Sequence, residues 1–196
     1  MAAEEIINNW YALRVKARSE KLIATIAQHK GFEEFVPVYR SSRRWSDRTK
    51  SLEIPLFPGY VFCRLESKSW LPLLTIPGVL HFVSVGKAPA PIDASEMLAI
   101  RMATESGCPT EPWPFLNVGP KVRLGKGPLA GLEGRLVEIR EQYRMVVSVT
   151  LLKRSVAVEL DRTCVSFLDD PGNTQSSTPL NVERSWDLLS ARNERY

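Results

Sequence analysis

Residues 144–160 read RMVVSVTLLKRSVAVEL, and this stretch decides the architecture of the second half of the chain. Met145, Val147, Val149 and Leu151 alternate with Arg144, Val146, Ser148 and Thr150, and Val156, Val158 and Leu160 alternate with Ala157 and Glu159. A period of two places successive side chains on opposite faces of a pleated strand, so two neighbouring strands are expected here. Working outward, Lys121 to Leu124, Arg135 to Arg140 and Cys164 to Leu168 carry the same texture. Short strands packed this closely imply a small barrel, whose closure hides its edges. Gly127-Pro128 and Gly131 to Gly134 mark a bend between the first two strands, where glycine permits dihedrals that Leu or Glu could not adopt.

The first half reads differently. Trp10 to Val15 (WYALRV) is aromatic and β-branched enough for a strand. A helix follows, with Ser19 as N-cap, Leu22, Ile23, Ile26 and Ala27 on one face, and Gly31 as the left-handed stop. Phe32 to Pro37 is a second strand, and the basic segment around Trp45 is a hairpin or loop. Leu56 to Leu65 (LFPGYVFCRL) turns at Pro58-Gly59 into a central strand. A short helix from Ser69 to Thr75 tolerates Pro72 in its first turn, Val79 to Val85 is another strand, and Asp93 with Glu96 starts a last helix. The order β-α-β-β-α-β-α suits a sheet with helices packed on it, so the class is α+β.

Between Ser106 and Pro120 the prolines at 109, 112, 114 and 120 cannot propagate a helix or a central strand, which places a linker at 106–118. The domains on either side span 8–105 and 119–168. From Asp169, DDPGNTQSSTP is rich in turn formers, and residues 169–196 are expected to be disordered or weakly helical through Val182, Trp186, Leu188 and Leu189.

Composition narrows the function. Hydrophobic residues make up 44% of the chain, enough for a core without staples, and no run of about 18 apolar residues could span a bilayer. The acidic start MAAEEIINNW lacks the basic and apolar regions of a signal peptide, so a cytoplasmic location is expected. Cys63, Cys108 and Cys164 are odd in number and widely spaced, which suits reduced, mostly buried thiols better than a disulfide framework or a metal knuckle. His29 and His81 have no partner at ligand spacing, so no metal and no cofactor are expected. GKGPLAG is one residue too long for G-x-G-x-x-G, and Gly119 to Gly125-Lys126 one too long for a Walker loop. No nucleophile motif is present, and no enzymatic activity is expected. The net charge of +4 equals the excess within residues 40–50 alone, where Arg40, Arg43, Arg44, Arg48 and Lys50 face Asp47. With Trp45 among them, these guanidinium groups could neutralise phosphates and stack on a base, although a solvated hairpin explains them equally well.

WYALRV, FPGYVF (57–62), IPGVLHFV (76–83) and P-x-P-I (89–92), in this order and spacing, resemble the N-terminal domain of the NusG family. VRLGKGPLAGLEGRLVEI (122–139) and VSVTLLKRSVAVEL (147–160) resemble its KOW domain. The resemblance implies an N-terminal α/β sandwich with an antiparallel, ferredoxin- or RNP-like sheet, followed by an SH3-like five-stranded KOW barrel. It further implies a monomeric transcription elongation or antitermination factor. Trp10, Phe57, Pro58, Gly59 and Tyr60 would then line an apolar concavity for the clamp helices of the largest RNA polymerase subunit. Arg18 and Lys21, with Thr25 and Gln28, resemble the face on which some paralogues read non-template DNA. Leu132, Leu152 and Arg154 resemble the outward surface that contacts Rho or a small-subunit ribosomal protein. Leu at 132 and 152 departs from the frequent Phe of the family, which favours a specialised paralogue over the general factor. A ribosome-associated RNA-binding protein with a KOW barrel is the alternative outside this class.

Overall fold

The computed structural model describes residues 9–45, 48–65, 70–116, 120–139, 142–160, 165–167 and 180–181, with the backbone alone for 42–45, 48–50, 139, 142, 165–167 and 180–181. The chain divides into two compact units, Met1–Met97 and Leu98–Tyr196.

In the first unit, β1 (Asn9–Val15) pairs antiparallel with β5 (Tyr60–Leu65) and β6 (Val79–Phe82), and β2 (Glu33–Phe35) adds to β5, giving the order β2-β5-β1-β6. A short β9 (Pro91–Ile92) also joins β1. Odd-numbered residues of β1 and β5 (Leu13, Val15, Val61, Cys63, Leu65) form one core with Ile23, Ala24 and Ala27 of α1 (Glu20–His29) and Leu73 of α2 (Leu71–Leu74). Burial pushes the Cys63 thiol up to about 12, so it is chemically quiet. Even-numbered residues face the other way and carry an aromatic row: Trp10 against Phe35 at 6.5 Å, Phe35 against Phe62 at 6.5 Å, and Phe57 edge-on to Phe62 at 5.4 Å.

The expected helix at residue 19 forms, but its buried stripe is Glu20, Ile23, Ala24 and Ala27, an i, i+3, i+4, i+7 set. Leu22, assigned to that face from the sequence, is 63% exposed. Ser19 is the N-cap residue, yet its hydroxyl makes no capping bond. Gly31 does stop the helix, at φ +86° with its N–H on the Gln28 carbonyl. The basic segment is a two-stranded ribbon, β3 (Val38–Trp45) and β4 (Arg48–Pro55), paired from Val38↔Pro55 to Trp45↔Arg48.

After the small ribbon β7 (Ser84–Val85) and β8 (Ala88–Pro89), α3 (Ala94–Glu105) begins at Asp93, whose Oδ1 accepts from the Ser95 N–H at 2.7 Å and the Ser95 hydroxyl at 2.5 Å. Those bonds hold the Asp93 carboxyl below its ordinary value, the Ser95 hydroxyl contributing most. A depressed carboxylate stabilises the fold above its unfolded pKa and loses that contribution as pH falls through the folded one. Asp93→Ala should therefore cost about 1 kcal/mol at neutral pH. The difference from the parent protein should vanish in melts at acidic pH, and a constant difference would contradict the cap.

In the second unit the five strands expected from the sequence all form: β11 (Lys121–Leu124), β12 (Glu133–Ile139), β13 (Gln142–Val149), β14 (Arg154–Leu160) and β15 (Val165–Phe167). Val122, Leu124, Leu136, Met145, Val147, Val149, Val156 and Val158 are buried, as the alternation requires. Gly134 leaves room for the close packing of β12 on β13, since a Cβ there would stand 2.7 Å from Met145 Cγ and 2.9 Å from the Val146 carbonyl.

Two strands described in this unit were not expected. The segment read as a linker at 106–118 carries β10 (Thr110–Pro114), which pairs along β14 from Thr110↔Val158 to Pro114↔Arg154. The hydrogen-bonded path among the described residues is thus open, running β10-β14-β13-β12-β11-β15. The prolines explain why this strand is possible only at an edge. Pro109 faces β14, accepting from the Glu159 N–H at 3.0 Å, so by alternation Pro112 and Pro114 turn their missing N–H groups to the outer side. In the region expected to be a disordered or weakly helical tail, Leu180–Asn181 forms β16, parallel to β12 at Val137 and Glu138. Residues 168–179 and 182–196 lie outside the described residues, and with them the proposed helix through Trp186.

β10 also changes the reading of the barrel's outer face. Val146 and Ala157 alternate outward, but both are buried, together with Val137, under Trp113 and Leu116. Leu116 is clasped by two serines: its N–H donates to Ser155 Oγ at 3.1 Å, and its carbonyl accepts from Ser148 Oγ at 3.0 Å. Ser148 has spent its only proton, so Ser155 donates across the 2.7 Å between the hydroxyls, closing a ring of three hydrogen bonds.

Candidate functional site

The turn Phe57–Tyr60 sits where β5 starts. Pro58 at its second position, Gly59 at its third with φ +80°, and the Tyr60 N–H on the Phe57 carbonyl at 3.1 Å are the marks of a type II turn. Both polar groups of Gly59 are used. Its carbonyl accepts from the Val15 N–H at 2.9 Å, with Arg14 Nη1 at 3.5 Å, and its N–H donates to Glu20 Oε1 at 2.7 Å. Arg14 lies directly opposite Tyr60 in the β1–β5 register and its guanidinium stands over the Tyr60 ring, 4.7 Å from the centroid. Glycine is required here by its dihedral, and a Cβ would also displace the Arg14 guanidinium, standing 2.7 Å from Nη1.

Of the five residues assigned to this surface from the sequence, Pro58 is exposed and Tyr60 half-buried, while Gly59 is buried backbone. Phe57 is only 1% exposed and Trp10 8%, which corrects the expectation of an exposed aromatic patch. The reason is the aromatic row: these rings satisfy one another edge to face and support the turn from beneath. Glu20 and Arg14, which hold the turn, were not singled out from the sequence.

The stripe on α1 forms as expected, with Arg18, Lys21, Thr25 and Gln28 all exposed. Lys21 is not a free cation, however, because its Nζ bonds Glu53 Oε2 at 2.7 Å and so ties α1 to the β3–β4 ribbon. That bond and the Lys21 charge lower the Glu53 carboxyl, and Arg40, opposite Glu53 in the ribbon, adds to the effect. Arg40 is exposed, whereas the side chains of Arg43, Arg44 and Arg48 lie outside the described residues. Arg18 occupies the left-handed region at φ +67°, a strained conformation for a residue with a Cβ.

On the barrel, Leu132 is 1% exposed and does not face outward. Gly127 and Gly131, at φ +83° and +87°, fold the loop back so that Leu129 and Leu132 enter the interior, with the Leu124 N–H on the Leu132 carbonyl at 2.9 Å. Leu152 is half-buried in a 3-10 turn at Thr150–Leu152, and Arg154 is exposed at the start of β14. Beside this turn, Lys153 Nζ stands 4.8 Å from the Phe115 ring centroid, so Phe115 belongs to the same surface. The proline-rich context of Phe115 hid it from sequence reading.

Among the described residues no helix is long and apolar enough to cross a membrane, and no group of three His, Cys, Asp or Glu side chains could hold a metal ion.

Residues 8–101 match the family described as "Transcription termination factor nusG". The transcription termination/antitermination protein NusG of Vibrio vulnificus is 30% identical over 175 residues, covering 82% of this chain and 96% of the relative. The chain belongs to the NusG family. NusG of Escherichia coli K12 is 33% identical over 134 residues, 66% of this chain and 71% of that one. A solved structure of Thermotoga maritima NusG shares the fold at a TM-score of 0.51 and 22% identity, covering 83% of this chain and 98% of that one. The α+β unit followed by a β unit is thus the NusG architecture, and the family is one of transcription termination/antitermination factors.

Proposed function

We propose that this NusG-family chain is a cytoplasmic transcription elongation or antitermination factor that docks on the RNA polymerase clamp helices through the turn Phe57–Tyr60. The observation that carries this reading is the turn itself: Pro58 and Tyr60 stand at the surface on either side of Gly59, whose N–H is committed to α1 and whose carbonyl is committed to β1. A rigid projecting Pro-Tyr pair meets a partner helix without an ordering cost, and Tyr is a typical anchor residue. Trp10 and Phe57 act beneath it, shaping the turn through the aromatic row.

The half-buried Leu152 with Phe115 and the exposed Arg154 form the surface proposed for a second partner, Rho or a small-subunit ribosomal protein. Leu132 drops out of that surface because it is buried. With Lys21 paired to Glu53, the exposed Arg18 and Arg40 are the remaining described candidates for contact with non-template DNA. No catalytic step is involved.

Single-round transcription by bacterial core RNA polymerase on a template with a strong pause tests this reading. The chain should shorten the pause or increase read-through, and Tyr60→Ala should abolish the effect. An unchanged pause at saturating protein, with ribosome co-sedimentation in the absence of transcription, would refute it.

A further inference from the structure

We propose that Glu20 is a positioning residue for the docking turn, selecting the one turn geometry in which Pro58 and Tyr60 are presented; this deepens, and rests on, the reading above. A glutamate at the first position of a helix ordinarily sits in solvent near its own N-terminus. Glu20 is instead 3% exposed and reaches across 39 positions of sequence to the Gly59 N–H. Burying a carboxylate is costly unless it is bonded, so its placement needs a compensating task.

The bonded atom identifies that task. Type I and type II turns differ by a flip of the central peptide, here Pro58–Gly59, and the Gly59 N–H belongs to that peptide. An acceptor fixed on α1 holds this N–H toward the helix and thereby excludes the flip. On the other side, Arg14 stacks on the Tyr60 ring and approaches the Gly59 carbonyl, so the turn is gripped between β1 and α1. Without the carboxylate the peptide can flip, Tyr60 samples other positions, and the apparent affinity falls with the competent fraction.

The test uses the full chain, titrated against bacterial core RNA polymerase well below its melting temperature, with hydrogen exchange at the Gly59 amide as a readout independent of the partner. Glu20→Gln keeps a carbonyl oxygen at the same reach and should bind like the parent. Glu20→Ala should weaken binding about tenfold, as expected if one turn in ten remains competent, and should accelerate Gly59 exchange. Glu20→Asp keeps the charge but withdraws it by one methylene, so it should behave like the alanine variant and serves in its place if that variant does not fold. A glutamine variant as weak as Glu20→Asp, or an aspartate variant that binds like the parent, would overturn the assignment. Tyr60→Ala separates the two claims: if it loses affinity while the Glu20 variants do not, only the positioning role fails, and if it too binds like the parent, the docking reading fails.

Discussion

Phe57→Ala is expected to lower the unfolding free energy of the N-terminal unit by about 3–5 kcal/mol, the usual range for deleting a buried aromatic ring. Phe57 is 1% exposed and packs edge-on to Phe62, which in turn touches Phe35, itself against Trp10. Removing it opens a cavity at the end of this row and leaves the turn Phe57–Tyr60 without its support. Urea melts should show the loss, and a change below about 1 kcal/mol would mean that the ring is not a core group. The practical consequence concerns binding experiments: a Phe57 variant that fails to bind has lost its fold before its contact surface. Tyr60, half-buried at the rim, separates the two effects.

Trp113→Ala should have the second largest effect. Trp113 is 7% exposed, buries Val137, Val146 and Ala157 together with Leu116, and receives the Arg144 guanidinium 5.8 Å from its ring centroid, while Arg144 also pairs with Glu111. A buried Trp lost in this way costs about 3–5 kcal/mol if the surrounding structure stays in place. Here it need not stay. β10 is an edge strand, so it and the following Phe115 and Leu116 can peel from β14 once the remaining contacts are weaker than their ordering entropy, which caps the measured loss at the docking free energy of the segment. Hydrogen exchange distinguishes the cases: peeling exposes the Glu159 and Leu116 amides, bonded to Pro109 and Ser155, while β11–β13 stay protected. A stability loss below about 1 kcal/mol with unchanged protection at both amides would contradict the strand's role as a cover.

The strands of both units were legible because each buries one face, and burial writes a period of two into the sequence. RMVVSV and RSVAVEL are the clearest instance, with Met145, Val147, Val156 and Val158 inside as expected. The same rule misled at Val146 and Ala157, because alternation says which residues share a face and cannot say that a second layer covers the outer one. That layer came from a stretch whose prolines speak against structure. Only their spacing, with Pro112 and Pro114 on one side of an edge strand, reconciles them with pairing. Of the stretch expected as a linker, 106–118, Thr110–Pro114 is therefore strand.

The site was legible at its turn and opaque at its support. FPGY announces a turn through Pro and Gly, and the family resemblance drew attention to its aromatics. Whether those aromatics face solvent depends on neighbours far along the chain, and Phe35 and Phe62 decide it by burying Phe57 and Trp10. Glu20 looked like an ordinary acidic residue in the first turn of a helix; its partner, 39 positions away, is visible only in the fold. Leu132 shows the same limit on the barrel, since two left-handed glycines turn inward a residue that loop position alone puts outside. With Leu132 inside, it leaves the outward surface on which the resemblance had placed it.

The most direct measurement of the proposed docking contact is the affinity of the full chain for bacterial core RNA polymerase, parent against a Pro58→Ala, Tyr60→Ala double variant that melts at the parent's temperature. The parent should bind, and the folded double variant should lose at least about tenfold in affinity, the level expected of an anchor residue at a docking surface. A parent that does not bind, or a double variant that binds as tightly as the parent, would contradict the docking contact.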